Sequence, residues 1–210
     1  MTILIACGLQ REAKILAGPG IITVPGGGDP AGLEAALEAA LMPRAKDVHL
    51  VLSCGIGGAL DPALGVADTV IDAPVGTPLR AALLEQMPGA RPGTIIGRDQ
   101  ITATASQKAA LFAATGALAV DMETHIAASV AARHGLAFAA VRAISDTAAE
   151  TLPPAALVGM NPDGSMALGK VLLSLARRPT QLPALIRTGR SAEAAFRALR
   201  RVANAIATLG

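Results

Sequence analysis

The sequence predicts a single α/β domain in which a central sheet is covered by helices on both faces. Three observations carry this. Short, nearly continuous apolar runs at 2–7, 48–54 and 137–144 have the composition of strands buried on both sides. Segments rich in Ala and Leu, with charges at helical spacing, alternate with them. The chain of 210 residues is 52% hydrophobic and only 16% charged, enough to fill one core and too apolar for a disordered chain.

Residues 2–7 begin with β-branched residues and read as a buried strand, after which Gly8 permits a tight turn into a helix over 9–16. A second strand at 21–24 is closed by Pro25 and by Gly26, Gly27 and Gly28. Asp29-Pro30 matches an N-cap followed by Pro at the first helical position, so 30–41 is a helix. The third strand, 48–54, ends in Gly55-Ile56-Gly57-Gly58. Further strands are predicted at 69–72, 94–97, 118–121 and 137–144, with helices at about 79–86, 106–114 and 124–134 between them. Beyond Pro153-Pro154 the pattern is helical, over 164–176 and again over 191–208, with Ser191 as N-cap. Phe196, Leu199, Val202 and Ile206 recur at helical spacing. No internal repeat or second domain is evident. Residues 1–210 form one domain with a basic helical C-terminal segment at about 164–210.

Charge is unevenly placed. Residues 170–210 hold Lys170 and seven arginines against the single acid Glu193, whereas the rest of the chain holds ten basic and fifteen acidic residues. A basic, amphipathic end on an acidic body suits peripheral contact with an anionic membrane face; it also suits an ordinary solvated surface. Cys7 and Cys54 lie in apolar strands and read as buried thiols, without a disulfide framework. The start of the chain lacks a basic leader, and charges break every apolar stretch before a membrane span is reached, so a cytoplasmic protein is expected. Neither a metal nor a nucleic acid is expected as partner.

In doubly covered α/β sheets, ligands bind beyond the strand ends. Gly8, Gly27, Gly57, Glu123 and Asp146 all follow predicted strands. Two segments stand out, Val120-Asp121-Met122-Glu123 and Val141-Arg142-Ala143-Ile144-Ser145-Asp146. Asp146 at the end of a buried strand can be desolvated enough to keep a proton for general acid catalysis, with Ser145 orienting it. Taken alone, Asp before Thr147 reads equally as a helix cap. Glu123 taken alone is an acid at a helix N-terminus, with Asp121 competing for any role there.

These two segments together resemble the purine nucleoside phosphorylase and methylthioadenosine/S-adenosylhomocysteine nucleosidase superfamily over roughly residues 1–150. The resemblance implies a single domain with a mixed central sheet and a homodimer. It implies Asp146 as the acid protonating a leaving purine, and Glu123 as the ligand of the ribose hydroxyls, with Met122 against the sugar. Ala6-Cys7-Gly8-Leu9-Gln10-Arg11-Glu12 is similar to the family's first strand and acidic loop, with Glu12 in the register of the nucleosidase base that activates water. Arg11 stands where the family's phosphorylases hold phosphate with an arginine, which implies phosphate at Arg11, Gly8 and Gly27, as a co-substrate and with no other cofactor. That arginine tips the expectation towards phosphorolysis. Gly55-Ile56-Gly57-Gly58-Ala59-Leu60-Asp61-Pro62 is similar to the loop under nucleophile and base, although Ile56 replaces a hydroxyl residue found in many members. Gly97-Arg98-Asp99-Gln100-Ile101 lacks the aromatic that stacks on the purine, so aliphatic packing by Ile101 is expected instead. His49, His125 and His134 read as structural or exposed.

Ile144-Ser145-Asp146-Thr147-Ala148-Ala149-Glu150-Thr151-Leu152-Pro153-Pro154, Asn161-Pro162-Asp163-Gly164-Ser165 and the Arg-Arg-Pro run from Arg177 resemble the hopanoid-associated phosphorylases. That branch implies a lipid-tailed nucleoside, adenosylhopane, losing adenine to give a ribosyl or phosphoribosyl hopane. The competing enzyme is a soluble methylthioadenosine/S-adenosylhomocysteine nucleosidase. A non-catalytic nucleoside binder is the reading from another class, and the presence of both Asp146 and Glu123 argues against it.

Overall fold

Parallel pairing of the first strand with both the second and the third builds the centre of the molecule. The computed structural model describes residues 2–44 and 46–208. In chain order the elements are β1 (Thr2–Cys7), α1 (Gln10–Leu16), β2 (Ile21–Pro25), α2 (Pro30–Leu41), β3 (Val48–Ala59), β4 (Thr69–Asp72), α3 (Pro78–Gln86) and β5 (Arg91–Pro92). They continue with β6 (Ile95–Gly97), α4 (Ala105–Thr115), β7 (Ala119–Asp121), α5 (Thr124–Arg133), β8 (Ala137–Asp146), α6 (Pro154–Leu157), α7 (Leu168–Arg177) and α8 (Leu182–Ala207). One mixed eight-stranded sheet runs in the order β2-β1-β3-β8-β4-β5, with β7 paired to β3 and β6 to β7. The β1–β2, β1–β3, β3–β8, β4–β5 and β6–β7 pairs are parallel, while β4–β8 and β3–β7 are antiparallel.

The alternation of strand side chains sorts the core into two layers. Ile3, Ile5, Leu50, Leu52 and Cys54 face one side and pack with Leu199, Val202 and Ile206 of α8. Leu4, Ala6 and Val51 face the other, against Leu33 and Leu37 of α2 and Val130 of α5. Both faces are thus covered by helices, as expected. Cys7 and Cys54 are free, buried thiols.

Two elements differ from expectation. β3 does not stop at Cys54 but runs through the glycine run to Ala59, pairing with β8 as far as Gly58–Asp146. The last helix begins at Leu182, and Ser191 lies inside it rather than capping it. Pro183 sits in the first turn of α8, where its missing N–H costs nothing. Gly189 is carried within the helix because the apolar stripe ending at Ile206 anchors it to the sheet. Among the described residues no helix is long and apolar enough to cross a membrane.

Candidate active site

A cavity of about 480 Å³ opens at the C-terminal ends of β1, β7 and β8, across the glycine-rich end of β3. Its floor includes Gly8, Glu12, Gly57, Glu123, Ser145 and Asp146, six of the eight sequence-predicted site residues that share this pocket. Met122 and Ile101 line it too. The glycines of β3 are there for room. A Cβ on Gly55 would lie 2.6 Å from Glu12 Oε1, one on Gly57 3.1 Å from Arg142 Cδ, and one on Gly58 3.0 Å from Asp146 Oδ2. The extended strand continues through a segment that reads as a turn because three functional side chains press on its backbone.

Glu12 is 2% exposed and is held by main chain alone. Gly8 N–H and Leu9 N–H donate to Oε2, and Ile56 N–H donates to Oε1, all at 2.7 Å. A carboxylate that only capped α1 would stay at the helix start; this one bridges to β3. Burial pushes its pKa up, partly opposed by the three N–H donors and by Arg142. The hydroxyl absent at position 56 has no consequence for Glu12, because the main chain of Ile56 makes the contact.

The expected phosphate subsite is not assembled. Arg11 turns away to α8, where it forms a bidentate ion pair with Glu193 and its guanidinium lies 4.1 Å from the Phe196 ring centroid. The physical reason is helical direction: Glu12 points into the sheet, so its neighbour Arg11 lies on another face of α1. Gly8 lines the cavity, but its N–H is taken by Glu12. Gly27 has φ +59, its N–H donates to Gly8 O at 2.9 Å, and a Cβ there would meet Pro162 O at 2.1 Å. It is a packing and turn glycine beneath the loop around Pro162.

Asp121 and Glu123 separate cleanly. The Asp121 carboxylate accepts from Glu123 N–H at 3.0 Å, Thr124 N–H at 2.8 Å and Thr124 Oγ1, and so caps α5. Both line the pocket, but only Glu123 has a carboxylate left free of helix-capping contacts. Its Oε2 meets Met122 N–H and Arg142 Nη2 only at 3.4 Å. A Cβ on Gly8 would lie 2.9 Å from Glu123 Oε1 and 3.4 Å from Glu12 Oε2, which puts both carboxylates around one glycine. Arg142 is fully buried below them. Its Nη2 donates to Ser53 Oγ at 2.7 Å, and its Nε lies 2.7 Å from Asp121 Oδ2 as an ionic contact, without an aligned hydrogen bond. Burial, then the Asp121 carboxylate beside it, pushes Glu123 up to about 8 against the pull of Arg142. Three buried acidic side chains lie around one guanidinium, so a cation above this floor would favour their ionised forms and be stabilised in turn.

Asp146 was expected to be a strand-end carboxyl desolvated enough to keep a proton. It is instead ion-paired: the ammonium of Lys108, on α4, donates to Oδ2. The Ser145 hydroxyl donates to Oδ1 at 2.7 Å and stands 3.1 Å from Gly57 O, so the expected orienting role for Ser145 has a geometry.

Sequence reading missed Lys108, Arg142 and the far wall of the cavity. Lys108 looks like solvated charge in an Ala-rich helix. Arg142 belongs to the second motif, where a cation amid Val141, Ala143 and Ile144 signals a buried partner set. The far wall comes from Leu152, Ala155, Leu157, Met160, Leu168 and Val171, in the segment beyond the two motifs. Of the histidines, His125 pairs with Asp99 and His134 with Glu38, both outside the cavity.

Known proteins match this arrangement in fold. The family profile described as Phosphorylase superfamily matches residues 74–177, a stretch that contains Lys108, Glu123 and Asp146. An S-adenosylhomocysteine nucleosidase from Streptococcus pyogenes, solved with 5-methylthiotubericidin, superposes with a TM-score of 0.61 at 17% identity, covering 96% of this chain and 95% of its own. A 5′-methylthioadenosine/S-adenosylhomocysteine nucleosidase from Helicobacter pylori gives 0.60 at 18%, covering 97% and 98%. Native futalosine hydrolase from the same organism gives 0.55 at 21%, covering 70% and 88%. No curated protein sequence matches the chain. The single α/β domain with a mixed sheet flanked by helices is the fold of these nucleosidases.

Proposed function

We propose that the protein hydrolyses the N-glycosidic bond of an adenine nucleoside bearing a large apolar 5′ substituent, of the adenosylhopane kind. The observation that carries the reading is the meeting of Glu12, Glu123 and Asp146 in one pocket of a nucleosidase fold. Glu123 accepts hydrogen bonds from the two ribose hydroxyls. Asp146, ion-paired in the free protein, takes up a proton from solvent as the substrate binds and passes it to purine N7 while the C1′–N9 bond breaks and its electron pair moves into the base. Positive charge then develops on the sugar above the carboxylate-rich floor, which is electrostatic stabilisation of the transition state. Water attacks C1′ and its proton goes to Glu12. The products are adenine and a free ribosyl compound.

Water is favoured over phosphate because the cation expected for phosphate is committed to Glu193, the Gly8 N–H already holds Glu12 and the Gly27 N–H is taken by Gly8 O. A phosphate dianion would face that carboxylate. Adenine release measured at zero and at saturating phosphate tests this. We expect equal rates and a free hemiacetal sugar; a phosphate-dependent rate with a ribose 1-phosphate product would overturn hydrolysis in favour of phosphorolysis.

The apolar 5′ substituent is supported by the far wall. Leu157, Met166 and Leu168 line the cavity and also reach its surface, at 37%, 61% and 63% exposure. None of the residues of α7 is buried, and Leu172 and Leu173 extend the same apolar surface beside Lys170, Arg177 and Arg178. Such a face suits peripheral contact with an anionic bilayer from which a lipid-tailed nucleoside is drawn. Adenosylhopane in anionic vesicles should be cleaved with a higher kcat/KM than methylthioadenosine. The reverse ranking would favour the soluble nucleosidase.

Above about pH 8, where Glu123 is ionised, Glu123→Gln should weaken adenosine binding by roughly 1.5–3 kcal/mol, the range for hydrogen bonds to a charged group, and leave free adenine nearly unaffected. Equal losses for both ligands in calorimetry would remove Glu123 from the sugar subsite.

A further inference from the structure

Lys108 lies on a helix remote in sequence from both motifs, yet it is the fully buried cation that touches the proposed acid. Its ammonium has three acceptors: Asp146 Oδ2, Thr147 O at 2.7 Å and Glu150 O at 3.1 Å. The three hydrogens of a lysine ammonium are therefore all placed. A lysine with no exposed side-chain surface is rare, and burying it is costly without such compensation. Glu150 in turn holds the Thr147 N–H at 2.7 Å, so the turn after Asp146 is tied back to the same point.

We infer that Lys108 is a positioning residue for Asp146 in base departure: it fixes the Asp146 carboxyl group and neutralises the carboxylate left when the proton moves to the purine. This rests on the reaction proposed above. Two geometric facts support it. First, Lys108 takes Oδ2 and Ser145 takes Oδ1, so both oxygens are held and the carboxyl plane has one orientation. Second, the Asp146 side chain keeps 11% exposure, so it still meets the cavity while Lys108 is sealed behind it. Asp146 takes up one proton from solvent in the substrate complex and passes it to N7, which restores the ion pair, and Lys108 keeps its three protons throughout. The Lys108 ammonium is thus a fixed charge placed where negative charge appears during the step, which lowers its barrier without any reorganisation of solvent.

A lysine that merely clamps the 147–150 turn would have the same contacts, and the leaving group separates the two roles. A purine needs protonation to depart, whereas the nitrophenolate of a 4-nitrophenyl riboside does not. Lys108→Met should lower kcat for an adenine nucleoside by about 10- to 100-fold, a fraction of the range for a complete general acid. The same variant should cleave the 4-nitrophenyl riboside within about threefold of wild type. Lys108→Arg should recover part of the loss on the adenine nucleoside. Equal losses on both substrates, or more than half of wild-type rate on the adenine nucleoside, would overturn the inference. Free adenine binding provides a measurement independent of turnover. In a double-mutant cycle, Lys108→Met and Asp146→Asn should each weaken adenine severalfold, and the double variant should lose no more than the larger single loss. Additive losses would refute the coupling. If wild-type protein cleaves neither substrate, the reaction proposed above fails, and the adenine cycle still decides whether Lys108 acts through Asp146.

Discussion

Asp146→Asn is expected to slow adenine release by about 100- to 10,000-fold, the usual contribution of a general acid, with adenosine affinity changed much less. The amide has the shape of the carboxyl and can still accept from Ser145, but it has no proton to give N7. The substitution also leaves the buried Lys108 ammonium without its counter-charge, although the carbonyls of Thr147 and Glu150 still accept from it. Breaking a buried pair in this way costs on the order of 3–5 kcal/mol of folding stability. Thermal unfolding should therefore accompany the kinetics, which are measured well below the lowered midpoint. A folded variant retaining more than half of wild-type activity would remove Asp146 from the mechanism.

Glu12→Gln should produce a loss of similar size, about 100- to 10,000-fold, in the rate without phosphate. Water activation needs the ionised carboxylate. Because burial raises the Glu12 pKa, wild-type activity should fall on the acid side through a limb lying above the ordinary carboxylate range. The sign follows directly: the group is a base, it works only when deprotonated, and its proton is held to higher pH than usual. The variant should be slow at every pH. Glutamine cannot accept from all three N–H groups, since its NH2 must face one of them, so modest rearrangement near Ile56 is also expected. A pH profile of Glu12→Gln that kept the wild-type acid limb at near wild-type height would show that Glu12 is not the base.

The strands, both helical layers and the pocket's position at the sheet rim were legible because they follow from apolar periodicity and strand-end logic. The place of Glu123 and Asp146 in the pocket was legible because they stand in two rare local patterns at strand ends. What escaped depends on direction in space. Arg11 and Glu12 are adjacent in the chain and point to different partners, one to α8 and one to β3. Ser191 has the chemistry of a cap, yet the helix passes through it because Leu182–Ile186 already start the first turns. Lys108 reads as solvated charge until the turn after Asp146 is folded over it. Asp121 and Glu123 became distinguishable only when the former's hydrogen bonds to Glu123 and Thr124 were seen.

The glycine-rich end of β3 works as a ruler. Glu12 rests against Gly55 and Asp146 against Gly58, three residues further along one extended strand. At about 3.3 Å per residue, the two contact points are about 10 Å apart. The spacing between the group that prepares the nucleophile and the group that releases the base is therefore set by main-chain pitch, not by rotamer choice. β8 pairs along this stretch to Gly58, with a register shift between Gly57 and Gly58, and β7 pairs with it from the other side at Gly58 and Ala59. A methyl group at Gly55 or Gly58 would push one end of the ruler while leaving the other in place, so alanine there should detune the reaction without replacing a single ionisable group.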